Sequence, residues 1–391
     1  MKRKIFIILF LVLINIAFVG ITVNAESGDD DKQEINKTVD NILDNIDFED
    51  FEKYLSEIPS TLFPDNGNIK DSLKLLMSGE GIGDFSSVFS YVLNLLGVTV
   101  KDKLPIFISL IILLVAGGIV DAMKPVGNSG VGEIVHFAIY SSAICIVGAI
   151  VYSLVLSAKQ TIDKTSGLIE GVMPIVLALM AATGQQTSVA LYNPASVFTT
   201  GLTMVFIENV IFPIIVSMLV VNVVSNINSS LKLTNLYGFL AGFIKWTFGL
   251  LAVIFSVFIT ARGIVSGAFD GISVKAVKYA VNSSVPIVGG ILKDGVDIII
   301  ASAILIKNAV GIYSLIAIVG IVIVPIIELI AVSFALKLIS AVAEPIGDAR
   351  AISFIDKVSS TVNYLIASIL IVAFMGIVMM ILILISSQAI L

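Results

Sequence analysis

Long apolar runs alternate with short polar stretches along most of this chain. Six runs are long enough to cross a bilayer, since a spanning helix needs about 20 apolar residues. They are residues 104–120, 135–157, 197–224, 236–260, 311–336 and 364–386. In hydrocarbon only helices and closed barrels satisfy their own backbone polar groups, and runs of this length are typical of helices. The pattern therefore predicts an all-α polytopic membrane protein.

The first 25 residues have the layout of a secretory signal peptide. Three basic residues at positions 2–4 precede an apolar run over 5–19, and Val23-Asn24-Ala25 then offers compact residues for cleavage after Ala25. The same layout fits an uncleaved first membrane helix, and the sequence leaves cleavage open. In either case we expect residues 26–103 to lie outside the cytoplasm.

Residues 26–103 form an acidic segment ahead of the membrane region at 104–391. This segment has a net charge of −10, whereas the whole chain carries −6. Apolar residues recur at helical spacing over 34–58 and again over 85–96. We expect a small helical extracytoplasmic domain, and the simplest reading of its charge is a solvated acidic face.

Two further apolar stretches are interrupted in the middle. Residues 183–186, around Gly184, break the first, and residues 293–295 break the second. An interrupted helix survives in a membrane only inside protein or beside water. The stretches fit re-entrant hairpins, discontinuous spanning helices or loops at the interface, so we expect about six to eight transmembrane helices.

The interrupted stretches occupy matching places in a candidate two-fold repeat. A Met-Pro-Ile-Val run at 173–176 resembles Val-Pro-Ile-Val at 285–288. A Phe-Pro-Ile-Ile run at 212–215 likewise resembles Val-Pro-Ile-Ile at 324–327, and both pairs are offset by 112 residues. The units would cover about 135–224 and 236–336, although matches this short also arise by chance. Interrupted helices in matching halves are the best sequence pointer to a transport pathway.

Composition narrows the chemistry of the chain. Hydrophobic residues make up 57% of its 391 residues and charged residues 13%, against a usual charged fraction of about 25%. One Cys and one His exclude a disulfide framework and a Cys- or His-rich metal site. Phosphate-loop, zincin and nucleophile-elbow motifs are absent from the sequence. We expect no catalytic residue, no metal, no cofactor and no nucleic-acid partner.

Polar residues within the apolar body are the candidate pathway or structural positions. Glu208 lies near the middle of 197–224, and Glu328 lies in the later half of 311–336. A carboxylate deep in a bilayer is costly and faces a cavity or a partner, so a functional and a structural role are equally open. The interrupted stretches add Gly184, Lys293, Asp294, Gly295, Pro174 and Pro286.

The connector at 261–310 holds five basic residues, among them Lys293 and Lys307. Short loops rich in Lys and Arg tend to stay on the cytoplasmic side of a membrane. This distribution predicts that most of the connector is cytoplasmic.

Four short motifs resemble the stage III sporulation protein AE family of endospore-forming Firmicutes. They are Val-Lys-Ala-Val-Lys-Tyr at 274–279, Val-Pro-Ile-Val-Gly-Gly at 285–290, Leu-Ile-Lys-Asn-Ala-Val-Gly at 305–311 and Ala-Glu-Pro-Ile-Gly-Asp at 343–348. The signal peptide, the acidic segment and the interruption near Gly184 also fit this family. The resemblance covers most of the chain and is strongest over about 165–350.

The resemblance implies a non-enzymatic multi-pass subunit of a channel or secretion-like complex that endospore formation requires. The complex joins the mother cell to the forespore, so the implied location is the mother-cell membrane around the forespore. Implied partners are the other membrane proteins of the stage III sporulation operon, their cytoplasmic ATPase and, indirectly, stage II sporulation protein Q. The lipid bilayer and further copies of the chain complete the expected partners.

Two other functions remain open at this point. The candidate repeat also fits an autonomous secondary transporter or permease with inverted or parallel repeats. The acidic segment also fits a scaffold that recruits ring-forming membrane proteins.

Overall fold

The computed structural model describes residues 29–55, 68–78, 85–122, 129–227, 233–257, 260, 289–345 and 347–386. Those residues form helices and short connections with no strand among them. Six of the helices are long and apolar enough to cross a membrane. Each overlaps one of the six apolar runs of the sequence. The described residues therefore confirm the all-α prediction and show six candidate spans, the lower end of the predicted six to eight. The predicted signal peptide lies outside the described residues.

Among the described residues, three short helices precede the long ones: α1 (Asp29–Asp44), α2 (Glu49–Leu55) and α3 (Ile69–Met77). Asn68 caps α3 by accepting a hydrogen bond from the Lys70 backbone N–H. The apolar stripes of these helices are buried, as the helical spacing predicts. The most buried members are Leu43, Phe51 and Leu73, each at most 1% exposed. We call α1–α3 the N-terminal module.

Six long helices form the bundle. They are α4 (Phe85–Ala122), α5 (Ser129–Ala182), α6 (Gln186–Ile227), α7 (Thr234–Val257), α8 (Gly289–Ala343) and α9 (Ala349–Ile385). Helix α4 runs without interruption across residue 103, where the acidic segment and the membrane region are expected to meet. Helices α8 and α9 are the most buried of the six, and α8 packs against α4, α5 and α9.

Contacts between the helices show in which direction each one runs. At one end, Tyr140 near the start of α5 donates to the Val223 carbonyl near the end of α6 and packs edge-on against Phe354 near the start of α9. At the opposite end, Gly311 in the first half of α8 lies against Leu384 at the end of α9. Helices α5 and α6 therefore run antiparallel, as do α8 and α9.

The N-terminal module packs against the end of the bundle where α5 and α9 finish. Phe51 of α2 contacts Tyr313 of α8 edge-on, with ring centroids 5.7 Å apart. Gly167 and Gly171 lie one helical turn apart on α5 and bring its backbone close to α2, where a Cβ at Gly171 would be 3.2 Å from the Asp50 backbone. We call this end of the bundle the module end and the opposite end the far end.

The bundle is much longer than one hydrocarbon layer. Helices α5, α6 and α8 contain 54, 42 and 55 residues. At about 1.5 Å per residue they extend roughly 60–80 Å, while a bilayer core is about 30 Å thick. Part of each of these helices therefore lies outside the hydrocarbon core.

The prediction of a second interruption at residues 293–295 is wrong. Residues 293–295 lie inside the continuous helix α8, which begins at Gly289. Lys and Asp are acceptable helix residues, and a single Gly costs only about 1 kcal/mol in a helix. The apolar packing of so long a helix outweighs that cost.

The expected first interruption is present, but it is the connection between two long helices. Residues 172–182 are the last turns of α5, and residues 188–192 belong to the first turns of α6. The position matching Gly184 in the second half lies within α8. Among the described residues, the two copies of the candidate repeat therefore differ in structure: the first has a turn where the second has a continuous helix.

Lys307 is not a connector residue. It is fully buried in α8, where its Nζ donates to the Ile383 carbonyl at 2.8 Å and to Ser386 Oγ at 3.1 Å. It thereby satisfies a backbone carbonyl at the C-terminal end of α9, as a cation near a helix end can do. The prediction of a cytoplasmic connector counted Lys307 among five basic residues of residues 261–310, and this residue must be left out of that count.

Candidate functional site

Glu208 lies on α6, at the interface with α5. Its Oε1 is 3.5 Å from the Nζ of Lys159, and the two side chains are 18% and 50% exposed. That oxygen is buried and has no hydrogen-bond partner with good geometry. An unsatisfied acidic oxygen inside a bundle is costly, so this position departs from ordinary helix packing.

Asp163 is the third member of this cluster. It follows Lys159 by four residues on α5, so both side chains lie on one face of the helix. The Asp163 carboxyl group lies close enough to the Glu208 carboxyl group to interact with it electrostatically. Two like charges at short range repel each other unless a cation or a proton offsets one of them. We call Lys159, Asp163 and Glu208 the α5–α6 cluster.

Two π-helical turns interrupt α6 around this cluster, at Phe198–Leu202 and Ile207–Ile211. Glu208 lies within the second. A π turn holds an extra residue, which rotates the side chains that follow it, and such turns occur frequently at functional sites. Thr203 donates to the Phe198 carbonyl five residues back at 3.0 Å, so side chains help to satisfy the widened backbone.

Glu328 lies in a second charged site, on α8. Its Oε1 is 3.2 Å from the Nζ of Lys103 on α4, and the two side chains are 26% and 30% exposed. One acid faces one base here, so the charges balance. The pair explains Glu328 as a structural contact between α4 and α8, one of the two roles that the sequence leaves open.

Gly184 ends α5 in a Schellman motif. Its φ of 81° lies in the left-handed region, where glycine has no steric penalty. The Gln185 backbone N–H donates to the Met180 carbonyl, and the Gly184 N–H donates to the Ala181 carbonyl, both at 3.0 Å. Gly184 therefore has a local structural role in reversing the chain between α5 and α6.

Among the described side chains, the other predicted residues lie elsewhere in the bundle. Pro174 is an exposed residue within α5, and Gly295 is an exposed residue within α8. Lys293 and Asp294 belong to the first turns of α8, but their side chains are outside the described part of the chain, as is the whole of Pro286.

Lys103, Lys159 and Asp163 are not among the residues predicted from the sequence. The apolar run that marks the span within α5 stops at residue 157, and the charged residues just beyond it have the pattern of a loop. The spacing of four between Lys159 and Asp163 is a signal that the helix continues, because it places opposite charges on one face. The partnership with Glu208 has no local signal.

Comparisons with known proteins agree with one another. The sequence model of the family described as stage III sporulation protein AE matches residues 67–387. Stage III sporulation protein AE of Bacillus subtilis strain 168 is 27% identical to the chain over 251 residues, which are 63% of this chain and 62% of that protein. No solved structure matches. Since the family model covers most of the sequence, the chain belongs to the stage III sporulation protein AE family.

Proposed function

We propose that the chain is a non-enzymatic multi-pass subunit of a channel or secretion-like complex that joins mother cell and forespore during endospore formation. Family membership and the six apolar helices support a membrane role in sporulation. The observation that carries the finer proposal is the α5–α6 cluster. Ionisable residues within membrane-spanning helices commonly face a cavity or a partner and mark substrate pathways or proton relays.

The proposed location is the mother-cell membrane around the forespore, with the N-terminal module outside the cytoplasm. The signal-peptide layout of residues 1–25 supports that orientation. The module packs at the end of the bundle where α9 finishes, so the end of α9 takes the same side. Cysteine labelling tests this in a Cys145→Ser background. With the chain expressed in non-sporulating cells, where its membrane is reached from outside, an impermeant maleimide should label Asn36→Cys in intact cells, and Glu344→Cys at the far end only after permeabilisation.

The subunit is proposed to work through partners. Its sequence contains no phosphate-loop motif, so energy for export would come from another protein. The proposed partners are the cytoplasmic ATPase and the other membrane proteins of the stage III sporulation operon, with stage II sporulation protein Q reached indirectly. Further copies of this chain are also proposed partners.

The α5–α6 cluster gives this function a physical basis. Two acids face one cation across the two helices, and a proton shared between the acids changes how strongly Lys159 attracts Glu208. The widened turns of α6 give that helix a place to bend. Gain or loss of the proton would therefore alter the packing of α6 on α5, which is how a pathway along these helices would open or close.

The test replaces the two acids with their neutral amides. We expect Glu208→Gln and Asp163→Asn each to lower the yield of heat-resistant spores, with the protein still present in the membrane at its usual level. A lost hydrogen bond to a buried charged group is worth roughly 1–3 kcal/mol, which is about ten- to a hundredfold in an equilibrium. The matched control is Glu344→Gln, an exposed acid at the far end. Normal spore yields from both cluster variants would contradict the proposal.

An autonomous transporter is the alternative that the same chain leaves open. Its main support is the repeat, and the second interruption on which that repeat depends is a continuous helix. Flux of ions, amino acids or nucleotides in proteoliposomes that contain this chain alone would favour the transporter over the complex.

A further inference from the structure

A cavity of about 650 Å³ opens between α1 and the module end of the bundle. Its walls are mainly apolar and come from three helices, with Ile42 on α1, Ile175 and Leu179 on α5, and Ile299 on α8. Ile299 is 50% exposed, although it lies among other apolar side chains. Apolar surface that is grouped in a concave site marks a binding site more often than scattered exposed residues do.

The rim of the cavity is polar and acidic. Asn41, Asn45 and Asp47 contribute to its lining. Glu34 lies one turn before the lining residue Thr38 on α1 and is exposed, so it continues the acidic edge along the same face. An apolar floor with a polar rim is the usual anatomy of a protein interface.

The surroundings of the cavity are strongly negative. Residues 29–55 and 68–78 carry eleven acidic and five basic side chains. Two of the basic ones already serve within the module, because Lys70 and Lys74 pair with Asp44 and Asp40 at 3.0 and 2.8 Å. The hydrogen bond to Asp40 raises the pKa of Lys74, so the Lys74 side chain stays protonated in this ion pair.

The negative charge around the cavity favours some classes of ligand over others. Anionic lipid headgroups are repelled by the acidic rim, and so is a second copy of the same acidic module. An amphipathic helix with a basic polar face suits both parts of the site, because its apolar face covers the isoleucines and its cations meet the acids.

We propose that the cavity docks a cationic amphipathic helix from another protein. The helix would lie along α1, with its apolar residues on Ile42, Ile175 and Leu179 and its basic residues over Asp47 and Glu34. The inference rests on the proposed function in one respect, the placement of the module outside the cytoplasm, which requires a partner segment on that side. The Asn36→Cys labelling tests that placement separately, so the two proposals can fail independently.

The test is photo-crosslinking within the complete chain in sporulating cells. Benzoylphenylalanine replaces Ala178 on the α5 wall in one variant and Asn41 on the α1 wall in another, and mass spectrometry identifies the crosslinked segment. We expect both positions to capture one basic amphipathic segment of another protein. Crosslinks to this chain itself, to a second copy, to lipid alone or to an acidic segment would overturn the proposal, as would no crosslink at either position from stably inserted protein.

Charge reversal at the rim tests the proposed recognition. The double variant Glu34→Lys with Asp47→Lys should reduce the crosslink yield from Ala178 by roughly tenfold, because rim charges control encounter with a charged partner. The matched control Glu344→Lys reverses an acid at the far end and should leave the yield unchanged. Equal yields from the rim variant and the control would show that charge does not select the occupant.

Discussion

The two helical hairpins of the bundle, α5–α6 and α8–α9, are built from helices of similar length but differ in how they are packed. Helices α8 and α9 bury most of the residues in their apolar segments. Each of them is a continuous α-helix without a π turn. Helices α5 and α6 bury far fewer, and α6 contains two π turns. The α8–α9 hairpin thus forms the core against which the other helices are placed.

The charges of the two hairpins differ in the same sense. Glu328 of α8 faces a single base, Lys103 of α4. Glu208 of α6 faces Lys159 and a second acid, Asp163. A balanced pair is satisfied once its helices pack, whereas two acids with one base keep an excess negative charge. The difference fits the proposal that α8–α9 is the scaffold and that the α5–α6 cluster serves the function.

The largest expected change in stability tests whether α9 is packed more tightly than α6. A Cβ at Gly376 of α9 would lie 2.6 Å from Cδ1 of Ile169 and 3.2 Å from Cδ1 of Ile318. We expect Gly376→Leu to destabilise the protein by about 3 kcal/mol, since overpacked cores shift side chains and backbone. Thermal unfolding of detergent-purified protein measures this. The control is Gly201→Leu in α6, where a Cβ meets nothing within 4 Å. Equal midpoints for the two variants would remove the distinction between the hairpins.

A smaller effect, with opposite signs in the two hairpins, is expected at the two glycines that the sequence marks as breaks. Gly184→Ala should destabilise by about 1–2 kcal/mol, because its φ of 81° is unfavourable for any residue with a Cβ. Gly295→Ala should stabilise by roughly 0.5–1 kcal/mol, because the site is helical and open. The same unfolding assay compares the pair. A destabilised Gly295→Ala protein would indicate a break in α8 after all.

The smallest effect is expected at the balanced ion pair. Glu328→Gln should change stability by no more than about 1 kcal/mol, because the Gln side-chain carbonyl still accepts a hydrogen bond from Lys103. Spore yield should stay at the level of the unmodified protein, in contrast to Glu208→Gln. A fall in yield as large as that of Glu208→Gln would show that the α4–α8 pair also serves the function.

Local patterns predicted the elements of this fold well. The six apolar runs each overlap one long helix, because burying a continuous apolar surface in hydrocarbon requires an internally hydrogen-bonded segment. The helical spacing around Val39 and Leu43 predicted the buried stripe of α1 for the same local reason. Gly184 was identifiable as a break, since its neighbours are polar and the reversal needs a left-handed residue.

Other expectations failed where the outcome depends on packing between distant segments. Gly295 and its charged neighbours resemble a break in the sequence, yet α8 continues through them as one helix from Gly289 to Ala343. Lys307 resembles a basic loop residue until the end of α9 supplies a carbonyl for it, 76 residues later in the chain. No pattern within a short window contains that partner.

The sequence by itself determined that the chain is helical, which six apolar runs could cross a membrane and where the acidic segment lies, because hydropathy and helical periodicity act over neighbouring residues. Only the tertiary structure decided which charges meet. Lys159 and Glu208 face each other because the turn at Gly184 folds α6 back on α5 and a π turn rotates Glu208 within it. The cost of an unpaired charge away from water makes that pairing decisive, and it depends on helices whose relative placement no local pattern specifies.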